Sequence, residues 1–138
     1  MKKFICLFLS FVLLCSIPVQ AKAQQNSEVM PMFENINSVY ASISIDQTWG
    51  ITTCTGRIVA AGEYPVSVDV ILQMYKDNRW TTLATWSASS TWVASCTQNY
   101  AVYSGYQYRV LVYGYVYDAN GRIIESGSAV HSAYYPAQ

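Results

Sequence analysis

The sequence predicts an all-β fold, seven antiparallel strands in two sheets stacked as a β-sandwich. Three observations predict it. Beyond its N-terminal stretch the chain is rich in Val, Ile, Thr, Tyr and Trp, residues that suit a pleated, half-buried surface. Turn residues interrupt it every 10 to 15 positions. No segment of that part shows a convincing helical period. Short strands, evenly spaced turns and no helix favour a sandwich.

The N-terminus reads as a targeting segment. Lys2 and Lys3 precede an apolar run from Phe4 to Val19, and Ala21 and Ala23 are small where a signal peptidase needs small residues. Residues 1–23 are therefore expected to be a secretory signal peptide, cleaved after Ala23. The run is 16 residues long and contains Pro18, short of the roughly 20 residues that span a bilayer. An uncleaved anchor and a lipoprotein modified at Cys15 are the rival readings; Leu14 is larger than that second processing accepts. No stable membrane insertion is expected after cleavage. Residues 24–37 read as a polar, mobile leader, and 38–138 as the sandwich domain.

The strands follow in order. Ser38–Asp46 alternates, with Val39, Ala41, Ile43 and Ile45 on one side. Ile51–Ala60 follows a break at Gly50, and 61–65 turns the chain. Val66–Tyr75 has the clearest period of two, with Val66, Val68, Val70, Leu72 and Met74 opposed to Ser67, Asp69 and Gln73. Asp77-Asn78-Arg79 turns into Trp80–Ser87, and Ser87-Ala88-Ser89-Ser90 reads as the next break. Thr91–Val102 and Tyr106–Tyr117 flank Ser104-Gly105. Asp118-Ala119-Asn120-Gly121 suits a type I turn closed by Gly121 in a left-handed conformation. Ile123 to about Ala133 is the last strand.

Charge and cysteine usage narrow the function. Loss of residues 1–23 leaves 115 of 138 residues, with five basic side chains against eight acidic ones, a net charge of −3. A mildly acidic domain with one lysine has no basic stripe for nucleic acid and no polybasic patch for anionic lipid. Cys54 and Cys96 remain, an even pair in an exported chain, and predict a disulfide. Closing so long a loop is worth roughly 4 kcal/mol in the chain-entropy account.

Gly105-Tyr106-Gln107-Tyr108-Arg109-Val110 resembles the start of strand F in fibronectin type III and related immunoglobulin-like domains. The resemblance implies a sandwich of immunoglobulin/fibronectin type in which Tyr108 is a tyrosine corner, its hydroxyl turned back to the backbone. It also implies that the second and fifth strands are neighbours, so that Cys54 and Cys96 would cross-link adjacent strands if they lay directly opposite. The stretches "LQMYKDNRWTTLATW", "SGYQYRVLVYGYVYDANGRIIES" and "HSAYY" resemble a family of small exported proteins of Gram-positive bacteria. That likeness implies a secreted sandwich and no mechanism.

Few residues invite chemistry. His131 is the only histidine, and no nucleophile elbow accompanies it. Glu63, Asp69, Asp77, Asp118 and Glu125 are scattered over turns and outward strand positions, which gives no facing pair for a glycosidase. "DANGRIIE" lacks the alternating oxygen ligands of an EF-hand. No catalytic residue, metal or cofactor is expected. Tyr113, Tyr115 and Tyr117 fall on every second residue and share one strand face spanning about 14 Å. They read as sheet surface, and also as the best candidate ligand platform, which Trp80 and Trp86 on a shared strand face would extend unless they fill the core. The expected function is a secreted, non-catalytic binding or interaction protein, its partner a cell-wall glycan or a secreted or surface protein. A self-assembling extracellular module and a small secreted inhibitor are the alternatives.

Overall fold

The computed structural model describes residues 33–138. The expected signal peptide and most of the leader lie outside the described residues. Seven strands form two antiparallel sheets: β1 (Ile36–Asp46), β2 (Ile51–Ala60), β3 (Pro65–Lys76), β4 (Arg79–Thr91), β5 (Val93–Ala101), β6 (Tyr106–Tyr117) and β7 (Ile123–Tyr135). One sheet has the order β1-β2-β5 and the other β4-β3-β6-β7. The predicted β-sandwich is thus observed, and β2 and β5 are the neighbours expected.

Period-two patterning decides which side chains are buried. Val66, Val68, Val70 and Leu72 of β3 meet Tyr108, Val110, Val112 and Val116 of β6 on the inner face, and all are buried. Thr52, Cys54, Ile58 and Ala60 of β2 close over them. Two glycines set the spacing between the sheets. A methyl group on Gly114 would lie 2.7 Å from Ile58 Cδ1, and one on Gly56 would meet Val70 and stand 2.9 Å from Val112 Cγ2. Each sheet therefore pushes a branched side chain into a glycine-lined hollow of the other.

Local chemistry explains the turns. Asp77 (φ 53°) and Asn78 (φ 60°) are both left-handed between paired Lys76 and Arg79, the geometry of a two-residue type I′ hairpin. Gly121 (φ 78°) closes the β6–β7 turn, whose Asp118 Oδ1 accepts the amides of Asn120 and Arg122. Gly105 (φ 89°) turns the chain into β6. Tyr108 is buried, and its hydroxyl donates to Tyr103 O at 2.7 Å while accepting Tyr103 N–H at 3.0 Å. That is the backbone bond expected of a tyrosine corner.

Several expectations are corrected. β1 starts at Ile36 rather than Ser38, because the amides of Glu34 and Asn35 are already fastened to the Glu125 carboxylate at 2.9 and 2.6 Å. Ser87–Ser90 is not a break: these residues extend β4 to Thr91 opposite Pro65–Asp69, with Ala88 turned inward. The expected Cys54–Cys96 disulfide is absent, and both residues are buried free thiols. The physical reason is register. Cys54 lies opposite Gln98 and Cys96 opposite Gly56, so the two are diagonal rather than facing. Burial pushes both thiols above their ordinary range.

A seam joins β1 to β7, two strands that run in the same direction along adjacent edges. Side chains bridge it: Glu125 at the N-terminal end, His131 Nδ1 accepting Ile43 N–H at 3.2 Å in the middle, and Tyr135 OH donating to Gln47 O at 2.9 Å at the far end.

Candidate functional site

The outer face of the four-stranded sheet gathers most of the residues singled out above. On β6, Tyr113, Tyr115 and Tyr117 alternate with buried Val112, Gly114 and Val116, so the three rings share the outward side. Register then fixes their neighbours. Tyr113 lies between Asp69 of β3 and Ser128 of β7, and Tyr115 between Ser67 and Ser126. Tyr113 is 39% exposed, enough to offer ring surface to solvent, while Tyr115 and Tyr117 are half-buried.

Polar groups stand among these rings. Ser87 on β4 donates to Asp69 Oδ1 at 2.6 Å, and the Tyr117 and Ser67 hydroxyls are 2.7 Å apart. The Tyr115 phenol is pushed above its ordinary range, first by burial, then by the Asp69 carboxylate and the adjoining phenols of Tyr117 and Tyr113. A phenol hydroxyl can both donate and accept. Asp69 places a charged acceptor beside the tyrosine row, opposite Tyr113, where hydrogen bonds from a ligand's hydroxyl groups are charge-assisted.

The other end of the face carries Trp80. Its ring centroid is 5.1 Å from that of Tyr75, and the Arg109 guanidinium lies 4.1 Å from the ring centre. Arg109 is held there by a 2.8 Å bond from Nε to Gln73 Oε1, and Gln73 Nε2 donates to Thr82 at 3.1 Å. Between the two aromatic ends runs an aliphatic row of Ile71, Leu111 and Val130, paired across β3, β6 and β7. Six residues of β3 separate Asp69 from Tyr75, about 20 Å at strand spacing.

Trp86 does not join this face. The bulge between Leu72 and Gln73 leaves Leu83 of β4 without a partner and reverses the alternation. Trp80 consequently points outward, while Trp86 turns inward opposite Val70 and meets Tyr100 edge-on at 6.2 Å. The expectation that the two tryptophans share a face is corrected: Trp86 closes the core where β4 approaches β5. The remaining tryptophans sit elsewhere. Trp49 is exposed at the β1–β2 turn, and Trp92 is held at φ 70° where the chain crosses between sheets. Its backbone is fixed there by bonds of 2.8 Å to Tyr64 O and from Ala60 N.

Sequence reasoning missed the place of Asp69 and the Tyr75–Trp80–Arg109 stack. Alternation did put Ser67, Asp69 and Gln73 on one face of β3. Only the β3–β6 register shows that this face adjoins the tyrosines. His131 serves the β1–β7 seam, and among the described residues no cluster of His, Cys, Asp or Glu is arranged to hold a metal ion.

No family model and no curated protein matches the sequence. Among solved structures, the chain overlays on Spo0M, a sporulation control protein from Bacillus subtilis, with 9% identity and a TM-score of 0.46. The overlay covers 77% of this chain and 51% of that one, so the chain spans about half the length of that protein.

Proposed function

We propose that this chain is an exported, non-catalytic binding module whose outer four-stranded face takes a neutral glycan, such as a cell-wall polysaccharide. One observation carries the reading: three tyrosine rings line one strand beside a carboxylate, Asp69 opposite Tyr113, whose partner, Ser87, occupies only one of its oxygens. Sugars present flat C–H faces, which aromatic rings cover, and hydroxyl rims, which a carboxylate and serine hydroxyls satisfy. Such mixed surfaces suit ligands that need apolar contact and hydrogen bonding together. Tyrosine also offers its area with few rotatable bonds, so little entropy is lost on contact.

The architecture is assigned to the immunoglobulin/fibronectin type. The Tyr108–Tyr103 bond pair supports this, as does the order β1-β2-β5 opposite β4-β3-β6-β7, in which β4 joins the β3-β6-β7 sheet as a C′ strand does. Export by a cleaved signal, and kinship with small secreted proteins of Gram-positive bacteria, belong to the same reading and rest on the sequence.

The test is a binding comparison on the purified protein, using neutral polysaccharides and cell-wall fractions. A Tyr113/Tyr115/Tyr117→Ser variant, folded by thermal melting, is expected to lose at least about tenfold in affinity, or about 1.4 kcal/mol, which is no more than one well-placed aromatic contact can supply. Equal affinity in the variant would contradict the proposal.

A further inference from the structure

The opposite sheet carries a second concavity, an open groove of about 520 Å³ on the outer face of β1, β2 and β5. At its centre is Arg57 on the middle strand. Tyr40 of β1 and Ser95 of β5 lie directly across from it, with Ser38, Thr55 and Val59 completing the groove. Tyr40 is 54% exposed, so its ring is available as a wall.

Charge distinguishes this groove from ordinary surface. Around Arg57 the sheet places Tyr40, Ser38 and Ser42 on one side, Ser95, Val93 and Thr97 on the other, and Val59 and Thr55 along its own strand; none carries charge. The acidic residue of β1 is Asp46, six positions from Tyr40, about 20 Å at strand spacing. Its Oδ1 already accepts the amides of Thr48 and Trp49 at 2.9 and 3.2 Å. A protein with more acidic than basic side chains beyond residue 23 thus presents the exposed Arg57 guanidinium in a groove where Ser38, Thr55 and Ser95 hydroxyls alternate with Val39, Val59 and the Tyr40 ring. The Thr55 and Thr97 hydroxyls, 3.0 Å apart, continue that polar row.

We propose that this groove binds a carboxylate-bearing sugar unit of an acidic polysaccharide. The planar guanidinium takes one carboxylate through two parallel hydrogen bonds. The Tyr40 ring covers the sugar's C–H face, and Ser38, Thr55 and Ser95 engage its hydroxyls. One cation matches the single charge of a carboxylate, and because a bridging phosphodiester carries the same single charge, direct comparison with a phosphate-bridged polymer separates the two ligands. The groove volume falls in the range of small-molecule sites. This site stands on the sheet opposite the tyrosine face and is independent of it, so the molecule would hold two saccharide types on its two sides.

Calorimetric titration with oligogalacturonate tests the proposal, with the methyl-esterified oligomer and a phosphate-bridged polyol polymer run alongside. The native protein is expected to bind the free acid at least tenfold more tightly than the ester. Arg57→Gln should lose at least tenfold in affinity with its melting temperature unchanged, and Tyr40→Ser should weaken binding as well. The Tyr113/Tyr115/Tyr117→Ser variant should bind the acid as the native protein does, which separates failure here from failure of the tyrosine-face reading. Unchanged affinity in Arg57→Gln, equal binding of acid and ester, no binding at millimolar ligand, or preference for the phosphate polymer would each overturn it.

Discussion

Tyr108 shows how one residue joins sequence, fold and energetics. Its ring fills the core beside Val110, and its hydroxyl both donates to and accepts from the Tyr103 backbone, clamping the entry to β6. Tyr108→Phe keeps the ring and removes both bonds, leaving the Tyr103 N–H and C=O to water. The expected loss is about 1–2 kcal/mol, that of two ordinary hydrogen bonds, measured by denaturant unfolding of the two proteins. A loss near zero would mean that the hydroxyl contributes nothing to the corner. This residue was legible in the sequence through the resemblance carried by Gly105–Val110, which implied a hydroxyl turned back to the backbone. Trp86 was not legible. Its orientation depends on a one-residue bulge at Leu83, and period-two reading has no sign for a bulge in a run such as TTLATW.

At the scale of elements, alternation predicted which face of β3 and of β6 would be buried, and turn chemistry located the hairpins at Asp77-Asn78 and Asp118–Gly121. The length of β4 was missed because Ser-rich segments resemble loops, whereas here Ser87 and Ser89 face outward from a paired strand. Pairwise register was not legible either, and register decides two outcomes: Asp69 lies beside Tyr113, and Cys54 lies diagonal to Cys96. The packing of the sheets rests on Gly56 and Gly114. Gly56→Ala inserts a methyl group against Val70 and Val112, both fully buried in the core. The expected cost is about 1–3 kcal/mol, read from the shift of the unfolding midpoint. A neutral effect would show that the sheets separate more readily than the close approach implies.

At the scale of the whole molecule, buried protonated groups tie stability to pH. Burial holds the Cys54 thiol and the Tyr108 phenol above their ordinary values of 9.0 and 10.0. Above those values the unfolded chain releases protons that the folded chain retains. The folded state then binds more protons, and stability falls as pH rises through the window. Thermal melts from about pH 8 upward should therefore show a falling midpoint once the ordinary thiol value is passed, with Cys96 and Tyr115, also held above their ordinary values, acting in the same direction. A midpoint that stays level or rises to about pH 11 would contradict this. The sandwich was visible from composition and periodicity alone. The seam between β1 and β7 was not, because Glu125, His131 and Tyr135 act across about 90 residues of chain that no local pattern connects.

The two faces give the molecule its proposed character: a tyrosine row beside Asp69 on one sheet, and Arg57 in a groove with the Tyr40 ring on the other. The central claim concerns the first. Its most direct measurement is the affinity of the native protein and of the Tyr113/Tyr115/Tyr117→Ser variant for the same neutral wall polysaccharide, under conditions where both are folded. The native protein is expected to bind, and the variant to lose at least about tenfold in affinity. Equal binding by the two proteins would contradict that claim and leave the tyrosines as the water-facing side of a sheet.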